Sequence, residues 1–327
     1  MPEISVIICT HNPREDYLRR VLDALRAQTL PLPDWELLLV DNASEKPLAG
    51  RIDLSWHPNA RHVREEKIGK AHALLRGIAE FKGGLFVIVD DDNVLRADYL
   101  RACLKISADY PQLGAWSGSC LPEFEVEPSA ELRPWLAGLV IEKLTVAVWA
   151  KLRYGTEACP MGAGMVVRQS VIEHYRELVL HDPIRKLFGP DGKNPGAGDD
   201  ADMALCGFDL GLGTGRFPEL ELTHLIPARK LTLKYVESLH EGFGYASLIL
   251  KAVHQPELLP EEPRWASGRV LFKGLLYWVA GKSRVERQIR LAEEKGRLRA
   301  YRELKQAGYF QRRSGHPVPG NRANLGS

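Results

Sequence analysis

Phe86-Val87-Ile88-Val89-Asp90-Asp91-Asp92-Asn93 sets four apolar residues directly against three consecutive carboxylates. A short apolar run of this kind reads as a strand buried on both faces, as in a parallel sheet. The acids then fall just past its carboxyl end, where open α/β sheets bind their ligands. Three adjacent carboxylates repel one another unless a cation neutralises them. Oxygen ligands suit Mg²⁺ or Mn²⁺, and such an ion keeps positions open for a diphosphate whose charge it neutralises. A solvated acidic turn or helix cap is the plainer alternative.

Outward from this point the first third alternates strands with amphipathic helices. Ile4 to Cys9 is an apolar run followed by the polar loop Thr10-His11-Asn12-Pro13, and Leu18, Val21, Leu22 and Leu25 mark one helix face. Leu37 to Val40 reads as a second strand ending at Asp41-Asn42. Ala71, Leu74, Leu75 and Ile78 mark another helix before the strand at Phe86. Polar groups thus follow three strands at one sheet edge: Thr10 to Asn12, Asp41, and Asp90 to Asn93.

Further on, residues 122 to 160 carry several prolines and the apolar stretch Leu136 to Ala150, and read as a loop and helix insertion near the site. Met161 to Val167 is strand-like, a helix follows, and a Gly- and Pro-rich loop (Gly189 to Gly198) precedes Asp199-Asp200-Ala201-Asp202, which opens a short helix. Leu220 to Ile226 reads as a strand and Leu231 to Val253 as a long helix.

The bulk numbers bound the class. With 327 residues, 45% apolar and 26% charged, the chain can bury a full core, which excludes disorder as its main state. Five scattered cysteines without a CxxC pair suggest neither a disulfide framework nor a zinc cage, and fit a reducing cytosol. No signal peptide is expected from Met-Pro-Glu-Ile-Ser-Val, and no apolar run approaches the roughly 18 residues of a membrane span.

The net charge of +2 conceals a basic C-terminal region: residues 264 to 313 hold fourteen Lys or Arg against four Glu, a net of +10. Within it Leu271-Phe272 and Leu275 to Val279, flanked by Lys273 and Lys282, suit an amphipathic helix lying on an anionic membrane surface. A helix packed on the body is the competing reading. Val285 to Gln306 reads as a charged helix and residues from Ser314 as a flexible tail. Nucleic acid is not expected as a partner, since no recognition motif accompanies the charge.

Four segments in order, Ser5-Val-Ile-Ile-Cys-Thr-His-Asn12, Val40-Asp-Asn-Ala-Ser44, Ile68-Gly-Lys-Ala-His-Ala73 and Val87-Ile-Val-Asp-Asp-Asp-Asn93, resemble the N-terminal motifs of family 2 glycosyltransferases. Gly162 to Arg168 resembles the strand beside the acceptor sugar, and Gly198-Asp199-Asp200-Ala201-Asp202-Met203 the family's Glu-Asp motif, with Asp199 in place of Glu. The resemblance implies a GT-A fold, a Rossmann-like, mostly parallel mixed sheet flanked by helices. It would occupy residues 1–255, with a nucleotide-binding half at 1–115 and an acceptor-binding half at 116–255. A basic helical extension (256–313) and the tail (314–327) would follow.

The same resemblance implies inverting, metal-dependent transfer from a nucleotide sugar, with a UDP-sugar expected, to a saccharide or lipid-linked acceptor. Thr10, His11, Asn12 and Asp41 would hold base and ribose; Asp90 would face the ribose and Asp92 the metal, with Asp91 shared. Asp200 would be the catalytic base, taking the acceptor hydroxyl's proton as that oxygen attacks. His224 would join the metal or diphosphate, and Arg229 a phosphate. The family's Arg-Asn pair is replaced by Leu74-Leu75, which leaves Lys70 or Arg76 to meet the nucleotide, and the arginine after the Glu-Asp motif is missing. Asp199 reads equally as a helix cap with Asp202 as its capping partner. The expected location is cytoplasmic, peripheral at the inner face of the plasma membrane.

The competing classes fail on spacing. Thr10 to Pro13 has no glycine for a nucleotidyltransferase, Leu276 stands where a P-loop ending at Gly281-Lys282-Ser283 needs glycine, and Gly211 to Gly215 does not fit GxGxxG. A binding module without turnover keeps the same fold, and retention of both the acidic run and Asp200 argues against it.

Overall fold

The computed structural model describes residues 1–151, 156–188, 198–259 and 266–310. Helix α1 (Glu15–Arg26) connects strands β1 (Ile4–Thr10) and β2 (Trp35–Asn42), β3 (Ala60–Glu65) follows β2 without an intervening helix, and α2 (Lys70–Glu80) leads to β4 (Leu85–Val89). These four strands are all parallel, in the order β3-β2-β1-β4. β1, β2 and β4 are buried along almost their whole length, as continuous apolar runs covered on both faces require.

β3 has no counterpart in the sequence reading. Its six residues, Ala-Arg-His-Val-Arg-Glu, bury only Val63 fully, because it is the outer strand and has no apolar period to detect.

The remaining strands turn the sheet mixed. After β5 (Asn93–Leu95) and α3 (Tyr99–Asp109) come the long β6 (Leu113–Phe124), the short β7 (Val148–Ala150) and β8 (Val166–Arg168). Next are α4 (Gln169–His181), α5 (Asp199–Leu205) and β9 (Gly213–Ile226), and the full order is β3-β2-β1-β4-β8-β6-β9-β5, with β7 on β9. Among the described residues of the 122 to 160 insertion, a short 3-10 segment at Arg133–Leu139 supplies helical structure and runs into an extended return that ends in β7. β7 pairs antiparallel with β9, so the sheet's backbone bonds decide the conformation over apolar content. The loop at 189–197 and the tail from Ser314 lie outside the described residues.

One core face gathers α1 and α3, through Leu18, Val21, Leu25, Tyr99, Leu100 and Cys103, against Ile4, Val6 and Val87. The other gathers α2, α4 and α5, through Leu74, Ile78, Ile172 and Met203, against Ile7, Leu38 and Ile88. Each such side chain, fully buried, stabilises the fold by about 1.5–3 kcal/mol.

Helices α6 (Leu233–His254), α7 (Ala266–Val279) and α8 (Arg284–Gln306) follow β9. α8 belongs to the body. Ala300 and Leu304 are buried with Tyr245 and Ile249 of α6. The two helices approach through glycine: a Cβ on Gly244 would lie 2.0 Å from the Glu293 carbonyl oxygen, and one on Gly296 1.9 Å from that of Glu241.

Candidate active site

The site is built from the carboxyl ends of β1, β2 and β4, as the alternation of strands and helices predicts. Asn12, in the left-handed region at φ 49°, turns the chain out of β1. Its amide donates to Ser44 Oγ at 2.9 Å and its side-chain oxygen accepts from the Glu45 amide at 3.0 Å. His11 Nδ1 donates to the Asn42 carbonyl at 2.7 Å. The β1 and β2 loops are therefore one fastened unit.

Asp41 is buried within that unit. It accepts from the amides of Ser44 (3.0 Å) and Leu48 (2.9 Å) and from the Arg64 guanidinium (2.7 Å). Burial acts to raise its carboxyl, and these bonds outweigh burial and hold it below the usual carboxylate range. Asn42, which the sequence reading passed over, joins the next element: its side chain donates to the Lys67 carbonyl at 2.7 Å and accepts from the Gly69 amide at 2.8 Å. That bond sets the start of α2 and hence Lys70.

Lys70 is the hub. Its ammonium stands 3.9 Å from Asp90 and 4.0 Å from Asp199, so the acids after β4 and those opening α5 face one cation. The carboxylates of Asp199 and Asp90 hold it charged, well above the usual lysine range. Arg76, the other candidate, pairs with Glu80 on its own helix instead.

The three acids of the run differ sharply in environment. Asp91 is pushed up to about 6, by burial first and by its acidic neighbours, against a hydrogen bond donated by the Thr10 hydroxyl. Burial also acts to raise Asp92, but the His224 ring and the Lys230 ammonium outweigh it and leave Asp92 well below the usual carboxylate range. Sheet register brings His224 there, since it lies opposite Asn93 in the antiparallel β5–β9 pair. Its Nδ1 donates to the Leu139 carbonyl at 3.0 Å, leaving Nε2 facing Asp92 Oδ2 at 3.5 Å.

Lys230 went unnoticed in the sequence. A 3-10 turn at Ala228–Leu231 folds it back from the end of β9, and its ammonium lies 2.7 Å from Asp92 Oδ2 and 3.3 Å from His224 Nε2. Arg229, the residue the sequence suggests for a phosphate, is exposed on the same turn, where its carbonyl accepts from the Thr232 hydroxyl at 3.1 Å. A lysine one residue away in a Pro-Ala-Arg-Lys turn has no period or motif to mark it.

Asp92 and His224 already converge on a single cationic position, occupied by the Lys230 ammonium, and an oxygen with an imidazole nitrogen is a competent donor pair for Mn²⁺ or Mg²⁺. Among the described residues no three His, Cys, Asp or Glu side chains are placed to hold a metal ion together, so water or the phosphate oxygens of a substrate would complete the coordination of any such ion.

Asp200 sits across from the run. Its Oδ2 accepts from the Gly162 amide at 2.9 Å and its Oδ1 from the Ala201 amide at 2.8 Å. A Cβ on Gly162 would lie 2.6 Å from that Oδ2, so only glycine lets the strand-side backbone approach the carboxylate this closely. Burial raises the Asp200 carboxyl, Asp199 adds to the effect, and Lys70 opposes it. Asp202 is not a capping partner: it is fully buried, ion-paired with Arg185 and 2.6 Å from His254 Nε2, where it ties α5 to α6. Asp199 gives no side-chain cap either, since the helix begins after Gly198 without one.

This arrangement and sheet order define a GT-A-type α/β protein, and residues 5–136 match the model of glycosyl transferase family 2. The chain is similar in fold to S. aureus TarS: residues 1–349 of that protein in complex with UDP-GlcNAc superpose with a TM-score of 0.51 at 12% identity, covering 100% of this chain and 98% of that one. A longer TarS structure gives 0.50 at 11% identity, over 94% of this chain and 55% of that one. Among curated relatives, Glycosyltransferase AglE of Haloferax volcanii is 30% identical over 95 residues, 28% of this chain and 31% of that protein. The uncharacterized protein y4gI of Sinorhizobium fredii is 28% identical over 114 residues, 34% of this chain and 12% of that protein. The matches thus span less than a third of either curated relative's length.

Proposed function

We propose that the chain is an inverting glycosyltransferase of the cytoplasm that moves a sugar from a nucleotide donor, a UDP-sugar, to a saccharide or lipid-linked hydroxyl. The observation that carries this reading is the hub at Lys70, whose ammonium lies 3.9 Å from Asp90 of the acidic run and 4.0 Å from Asp199, the neighbour of Asp200. The family match of residues 5–136, the kinship to AglE and the fold shared with a protein solved with UDP-GlcNAc support it.

In this mechanism the fastened β1–β2 loops, with Thr10, His11, Asn12 and Asp41, receive base and ribose, and Asp90 and Asp91 complete that wall. Asp92 and His224 would hold a Mn²⁺ or Mg²⁺ ion, which would supply charge neutralisation for the leaving diphosphate. Lys70, and Lys230 once displaced from Asp92, donate to phosphate oxygens, with Arg229 at the rim. Asp200 accepts the proton of the acceptor hydroxyl while that oxygen attacks the anomeric carbon opposite the diphosphate, whose bond to carbon breaks with the electron pair leaving on oxygen. The raised Asp200 carboxyl makes it a stronger base than an ordinary carboxylate, as proton abstraction needs.

A panel of nucleotide sugars, scored for Mn²⁺-dependent thermal stabilisation and then for nucleotide release, tests the proposal. Asp200→Asn should keep donor-induced stabilisation and lose turnover by about 100-fold or more. Stabilisation without turnover in the unaltered protein would reduce the chain to a binding module, and stabilisation by no nucleotide sugar would end the proposal.

A further inference from the structure

Helix α7 is built the wrong way round for a helix packed on a soluble body. Phe272, Leu275, Leu276 and Val279 recur at the i, i+3, i+4, i+7 spacing of one helical stripe, and that stripe faces outward. With Trp278 beside them, these side chains are 47% to 70% exposed. The opposite face meets α8 through its polar and small residues: Lys273 is 2.5 Å from Glu294 Oε1, and a Cβ on Gly274 would meet Leu291 at 3.7 Å. Tyr277 lies half-buried with its ring 6.0 Å from the Arg290 guanidinium. α8 is itself buried against α6, so α7 is presented from a fixed base.

We infer that the outward stripe of α7 is a docking surface for an anionic lipid bilayer, entered parallel to the interface. Charge selects this occupant. Residues 272 to 310 hold ten Lys or Arg against four Glu, and Lys282 and the exposed Arg284 follow directly after the apolar stripe. Apolar and aromatic side chains reaching the acyl boundary beside a cationic rim are the chemistry of an interfacial helix. Fourteen residues are too short to cross, and no described helix is long and apolar enough to do so. The inference does not depend on sugar transfer, because vesicle binding and nucleotide release are separate measurements.

The test is co-sedimentation of the full chain with phosphatidylcholine vesicles, with and without phosphatidylglycerol. The unaltered chain should sediment with the anionic vesicles, less so at high salt, and only weakly with neutral ones. The double variant Leu275→Asp, Trp278→Asp should lose about tenfold or more of that binding. Both positions are exposed, so its melting temperature and nucleotide release should match the unaltered chain. Three results would overturn the inference: vesicle binding unaffected by the double variant, equal binding to neutral vesicles, or no vesicle binding by a chain whose self-association that variant abolishes. The last would assign the stripe to a second copy.

Discussion

The Lys230 ammonium lies 2.7 Å from Oδ2 of Asp92, in the position to which the imidazole of His224 also points. A protein cation therefore neutralises the acid that a divalent ion would use, and the two must compete for it.

Lys230→Met should expose that competition. Without the ammonium, Asp92 is left as a largely buried charge, and the metal-free protein should lose roughly 1–3 kcal/mol of stability. Mn²⁺ should then stabilise the variant more than the unaltered chain, by mass action on a seat no longer occupied. Melting curves over a Mn²⁺ titration measure both effects, and an equal response to Mn²⁺ in the two proteins would mean that Lys230 and the ion do not share the seat.

The pH dependence of transfer should follow the neighbours of Asp200. The proposed base must be deprotonated to act, so the acidic limb of kcat/KM should rise with pH through its raised carboxyl. Lys70 opposes that rise, so Lys70→Met should move the limb to higher pH; Asp199 adds to it, so Asp199→Asn should move the limb to lower pH. Shifts of about half to one pH unit in opposite directions are expected. The position of the limb is the readout, since losing Lys70 also weakens donor binding.

Asp202 should behave oppositely to Asp200 despite lying two residues away. Asp202→Ala would leave Arg185 buried without its partner, at a cost of about 3–5 kcal/mol. Asp200→Asn should change the melting temperature little and remove turnover. Denaturant unfolding of both variants separates the structural acid from the chemical one.

Gly296→Ala weighs two effects of opposite sign. Helix propensity favours alanine by about 1 kcal/mol. The added Cβ would meet the Glu241 carbonyl oxygen at 1.9 Å, and forcing α6 and α8 apart costs about 1–3 kcal/mol. The contact is with backbone, which cannot swing aside, so net destabilisation is expected in a thermal melt.

The strands that carry the acidic run were legible because a buried strand in a parallel sheet is a continuous apolar word, and β1, β2 and β4 are spelled that way. β3 and β7 were not, since an outer strand of mostly polar residues and a three-residue strand inside a Pro-containing insertion leave no apolar period. At the site, ordered motifs pointed to Thr10, Lys70, Asp90 to Asp92, Asp200 and His224, which the fold brings to one sheet edge. Lys230 and Asn42 were illegible for a different reason. Each acts through a turn that returns the chain by a few ångströms, and turn geometry is decided by what the loop packs against. Asp202 was misread because one-dimensional spacing suits a cap, whereas Arg185 and His254 reach it only in three dimensions.

Nucleotide release from a UDP-sugar with Mn²⁺, measured for the unaltered chain, for the chain with chelator, and for Asp92→Ala, tests the proposed role of the acidic run. Release that requires the cation and falls by about 100-fold or more in the variant is the predicted result. Release that persists in chelator and in Asp92→Ala would contradict the assignment of that carboxylate, and with it the metal-dependent mechanism.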